Sequence, residues 1–75
     1  MNLDKMNIGD KGKVIDVKGQ GAVRRKLLDL GITPNTEVQV RKKAPLGDPI
    51  EITLRGFELT LRREDARNIV VEEIL

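Results

Sequence analysis

Residues 22–32 read Ala22-Val23-Arg24-Arg25-Lys26-Leu27-Leu28-Asp29-Leu30-Gly31-Ile32, and this run decides the fold. Val23, Leu27 and Leu30 recur at i, i+4 and i+7, one stripe of a helix, and Leu28 widens that stripe. Arg24, Arg25 and Lys26 fill much of the remaining circumference, where long cations keep their heads in water while their stems cover apolar surface. Gly31 follows the last periodic residue and suits the left-handed backbone that closes a helix, with Ile32 folding back on Leu27. Lys18 to Gly21, with two glycines, lets the chain turn in. The reading is one α-helix over about residues 21–30, and no other stretch has a helical period.

Downstream, the pattern changes to alternation. Thr33-Pro34-Asn35-Thr36 has proline second and asparagine third, as a type II turn requires. Glu37 to Lys43 starts with Val38 and Val40 on one face and Glu37, Gln39 and Arg41 on the other. After a loop from about Ala44 to Pro49, Ile50, Ile52 and Leu54 alternate with Glu51, Thr53 and Arg55. Arg55-Gly56 suits a two-residue hairpin. The next strand places Phe57, Leu59 and Leu61 together, with Phe57 expected in the core. A short helical turn is expected near residues 63–66, then a last strand over Ile69 to Ile74.

Upstream, Leu3 and Met6 are spaced to plug one end of the core from a single turn. Gly9-Asp10-Lys11-Gly12 signals a turn. Lys13 to Lys18 then reads as the first strand, with β-branched bulk from Val14, Ile15 and Val17. The expected class is mainly β: one domain over residues 1–75, a small five-stranded antiparallel barrel with one inserted helix. Closure would remove the exposed strand edges that endanger a sheet of this size.

Composition narrows the function. The 75 residues are 39% hydrophobic, with Phe57 the only aromatic and no cysteine or histidine. Serine is absent too, so the usual nucleophiles and general base are missing and the chain is not expected to be an enzyme. No disulfide or thiolate metal site is available, and no cofactor is expected. The 14 basic and 12 acidic residues leave a net charge of +2, too small to signal nucleic acid. Stacking rings for nucleic acid are missing as well. No stretch approaches the roughly 20 apolar residues that span a bilayer, and residues 1–6 lack the apolar run of a signal peptide, so a cytoplasmic location without membrane insertion is expected.

Several constellations remain. Gly19-Gln20-Gly21 before a helix could hold an anion, but it lacks the third glycine of a dinucleotide fingerprint and the lysine of a P-loop, so a plain turn is the better reading. Arg24, Arg25, Lys26, Arg41, Lys42 and Lys43 could form a basic patch or simply face solvent. Asp48, Glu51 and Glu58 are the nearest approach to an oxygen-ligand cluster, and cross-strand carboxylates are ordinary partners of Arg and Lys. In Ala44-Pro45-Leu46-Gly47-Asp48-Pro49-Ile50, two prolines stiffen the legs, Gly47 allows the bend and Asp48 can hydrogen-bond its own turn. Leu46 at its tip either meets a partner, at little entropic cost, or folds down over the barrel; the sequence leaves both open.

Three segments then resemble one family in order and spacing: Arg24 to Pro34, Ala44 to Ile50, and Leu61-Arg62-Arg63-Glu64-Asp65-Ala66. The chain resembles the ferrous iron transport protein A (FeoA) family from about Leu3 to its end. The resemblance implies an SH3-like barrel with an inserted helix, and a small cytoplasmic accessory of the FeoB GTPase-permease. Similar domains end metal-dependent repressors of the diphtheria-toxin-repressor type, so a divalent-metal-responsive domain is the alternative. Asn35 stands where the family usually has glycine, and asparagine tolerates the left-handed backbone required there. The expected partner-binding residues are Arg24, Arg25 and Leu28 on the helix and Leu46, Gly47 and Asp48 on the loop. The apolar loop also allows weak self-association. Recruitment of proline-rich peptide ranks last, because such grooves are lined by aromatics.

Overall fold

A computed structural model of the chain describes residues 1–74. A 3₁₀ turn (Leu3–Lys5) precedes β1 (Lys11–Val17) and α1 (Ala22–Asp29). Then come β2 (Glu37–Lys43), β3 (Ile50–Leu54), β4 (Phe57–Leu61), α2 (Arg63–Ala66) and β5 (Ile69–Ile74). The strands form one antiparallel sheet in the order β4-β3-β2-β1-β5. The expected class therefore stands, but the sheet does not close: among the described residues β4 and β5 remain its two edges. The β5 edge is covered instead by the N-terminus, where Asn2 bridges Val70 and Met1 exchanges backbone hydrogen bonds of 3.0 and 2.8 Å with Val71.

The helix ends as its sequence dictates. Gly31 has φ of 96°, its N–H donates to the Leu28 carbonyl at 3.0 Å, and the Ile32 N–H donates to the Leu27 carbonyl at 3.1 Å. These two bonds define a Schellman closure, and both Leu27 and Ile32 are fully buried in the core. Asn35 takes φ of 75° and the Thr36 N–H donates to the Thr33 carbonyl at 3.1 Å, so the type II turn forms with asparagine at its left-handed position. Leu3 and Met6 are buried and plug the core as expected.

Three local expectations need correcting. Strand β1 starts at Lys11, so the turn lies earlier, where the Asn7 N–H donates to Asp10 Oδ2 at 2.9 Å. Gly12 belongs to the strand, paired with Val38 and Glu73, and a Cβ there would stand 3.2 Å from the Met6 side chain and 3.3 Å from Val71. Second, the β1–β5 register slips between Val14 and Asp16. That bulge turns Val14 and Val17 both inward and leaves Ile15 50% exposed. Third, Phe57 is 55% exposed rather than buried. It lies at the turn end of edge strand β4, opposite Leu54, and burial on β4 is complete only at Leu61, opposite Ile50.

Candidate functional site

The connection from β2 to β3, residues 44–49, is cinched at its base. The Ala44 N–H donates to the Pro49 carbonyl at 3.0 Å and the Gly47 N–H to the Ala44 carbonyl at 2.7 Å, with Gly47 at φ of 82°. Leu46, between these anchors, is 88% exposed, so it does not fold down over the sheet. Asp48 does not bond its own turn. Its Oδ1 accepts the backbone N–H of Arg63 at 3.0 Å. Arg63 is the first residue of α2, and Arg62 before it makes no side-chain cap, so Asp48 supplies from across the chain what a helix N-cap supplies locally.

The far side of α2 is tied to α1. Lys26 Nζ lies 3.0 Å from Asp65 Oδ2, an ion pair whose acid is 11% exposed and whose base is 56% exposed. Two long-range contacts thus join the loop to α2 and α2 to α1. Among the expected partner residues, Arg24 is not free, since its Nε donates to the Val17 carbonyl at 3.1 Å. Arg25 is exposed, and Leu28 is half-buried against the core. The basic residues of the sequence separate: 24–26 lie on α1 and 41–43 on β2.

Beside the loop lies a cleft of about 530 Å³ lined by Asn2, Asp4, Lys5, Lys43, Gly47, Arg63 and Arg67. Sequence reasoning missed it because its residues come from four separate segments with no shared period. Only the cationic character of 41–43 and 62–63 hinted at it. Gly19, singled out as part of a possible anion loop, instead packs: a Cβ there would lie 3.4 Å from the Val23 and Asn68 side chains. The expected carboxylate group is dispersed. Glu51 faces Thr60, Glu58 faces Thr53, and Asp48 is engaged by Arg63. Among the described residues no three Asp or Glu side chains gather to hold a metal ion, and no helix is long and apolar enough to cross a membrane.

One five-stranded antiparallel sheet with a helix inserted between its first two strands defines a small SH3-like β domain. Its sequence matches the model of the FeoA domain over residues 1–73, and the chain belongs to the FeoA family. It is 35% identical, over 74 residues, to a fusion of Fe(2+) transport protein A with Fe(2+) transporter FeoB from Porphyromonas gingivalis. That alignment covers 99% of this chain and 9% of the fusion protein. A FeoA-like protein from Clostridium acetobutylicum superposes with a TM-score of 0.93 at 44% identity, covering 100% of this chain and 87% of that one. The zinc complex of Stenotrophomonas maltophilia FeoA, a procaryotic SH3 domain protein, gives 0.85 at 26% identity, with 96% and 89% covered.

Proposed function

We propose that this chain is a cytoplasmic accessory of ferrous iron uptake that docks on the cytoplasmic part of a FeoB-type transporter and modulates it, without catalysis of its own. The observation that carries the reading is Leu46, 88% exposed on a loop held at its base and at Asp48. Burying a leucine on association contributes about 1.5–3 kcal/mol, and a loop already ordered loses little entropy in doing so. Arg25, exposed on the connected helix, would favour an acidic partner and speed encounter. The partner assignment is supported by the Porphyromonas gingivalis relative, in which a FeoA-like segment and FeoB share one polypeptide.

The test is capture of a purified FeoB cytoplasmic domain by the immobilised chain, wild type against Leu46→Asp. Retention should fall by about tenfold or more for the variant, the equivalent of about 1.4 kcal/mol. Arg25→Glu should slow association and flatten its dependence on salt. Equal capture by wild type and Leu46→Asp removes the loop from the interface.

A further inference from the structure

The cleft beside the loop has a chemistry that docking through Leu46 does not use. All seven lining residues are polar or glycine, and four of them, Lys5, Lys43, Arg63 and Arg67, are cations. Among these stands one acid, Asp4, whose side chain is only 5% exposed. Its Oδ1 is buried and has no hydrogen-bond partner among the described residues. Its Oδ2 lies 3.9 Å from Arg67 Nε, an ion-pair distance too long for a hydrogen bond. Lys43 Nζ reaches the Asp4 backbone carbonyl at 3.3 Å, not its carboxylate. A buried carboxylate oxygen left without a donor is costly, and such an atom in a native structure calls for an explanation, a bound water or ion among them.

The cations ask for an anion and Asp4 asks for a donor on the same molecule. An ionised carboxylate has no donor, so an acidic side chain answers only half of the site. Sulfate fails for the same reason, because it carries no proton near neutrality. Phosphate succeeds: near pH 7 it keeps at least one O–H while its other oxygens accept from Lys and Arg. We propose that this cleft binds a phosphate group accompanied by an O–H donor, with the Asp4 carboxylate accepting the O–H and Lys5, Lys43, Arg63 and Arg67 holding the remaining oxygens. Inorganic phosphate and a phosphomonoester of a polyol share that chemistry. The site does not depend on transporter docking, and either can fail alone.

The experiment is a titration of the ¹⁵N-labelled full chain at pH 7 and fixed ionic strength with inorganic phosphate, glycerol 3-phosphate and sodium sulfate. The expected result is saturable shifts at the amides of Asp4, Lys5, Gly47 and Arg67 with phosphate, and about tenfold weaker binding of sulfate, the loss of one charged hydrogen bond. The stronger of the two phosphate compounds identifies the source. Asp4→Asn should erase the preference for phosphate over sulfate, because an amide can donate as well as accept. Lys5→Gln, at an exposed position that leaves packing intact, should weaken every anion while keeping the preference. Equal affinity for phosphate and sulfate in the wild type, unsaturable shifts with both, or a preference untouched by Asp4→Asn overturns the proposal.

Discussion

Strand β3 is flanked by two connections that expose an apolar side chain in opposite ways. At its start, residues 44–49 form a loop held from outside, by Asp48 on Arg63, and Leu46 stands 88% exposed at its tip. At its end, Arg55 and Gly56 make a hairpin held from within, both at positive φ (48° and 86°), and Phe57 follows it 55% exposed. The hairpin's backbone fits the twist of its own strands, and one side-chain hydrogen bond braces it, Arg55 Nη2 to Thr36 Oγ1 at 3.3 Å. A tight turn thus fixes register, whereas the longer loop presents a surface. Exposure alone does not separate the two apolar side chains; their positions do, one on a loop whose Gly47 borders a cationic cleft and the other at the margin of a sheet.

The strand between the two connections sets the scale. Leu54→Ala, removing a buried side chain at the hairpin end, should destabilise the domain by about 2–4 kcal/mol, read as a fall in denaturation midpoint. Leu46→Asp should shift stability by no more than about 0.5 kcal/mol while weakening capture of the FeoB cytoplasmic domain by about tenfold or more. If both properties fell together, the loop would be structural and the contrast would collapse. Asp48→Ala should cost about 1 kcal/mol in thermal unfolding, the usual worth of a helix cap. Gly56→Ala should cost a similar amount, about 1 kcal/mol, because its φ disfavours a Cβ. Phe57→Ser should be the mildest, within about 0.5 kcal/mol in unfolding and neutral in capture. A loss of capture there would extend the interface to the far end of β3.

What the sequence disclosed was local. The period of Val23, Leu27 and Leu30 with Gly31 behind it specified α1 and its closure, and alternation specified β2 and β3, because those signals lie within one turn or one strand. Phe57 was misplaced because alternation says which residues share a face but not whether a strand lies at the margin, where that face runs out of cover. Ile15 was misplaced for a related reason: one extra residue in β1 resets the alternation, and nothing in Val14-Ile15-Asp16-Val17 announces it. The candidate site was half legible. Its loop and helix are contiguous stretches with recognisable chemistry, so Leu46 and Arg25 could be named. The contacts that join them, Asp48 with Arg63 and Lys26 with Asp65, link residues 15 and 39 positions apart. The acid of the cleft, Asp4, looked like any solvated residue of a charged N-terminus until folding buried it.

The four residues of α2 are too few to hold a helix by themselves. They are kept in shape by one carboxylate arriving at Arg63 and one ammonium arriving at Asp65. The amide proton of Arg63 is consequently a built-in reporter. Its exchange with solvent counts the moments when Asp48 lets go, so a single backbone resonance records how often the loop is unmoored.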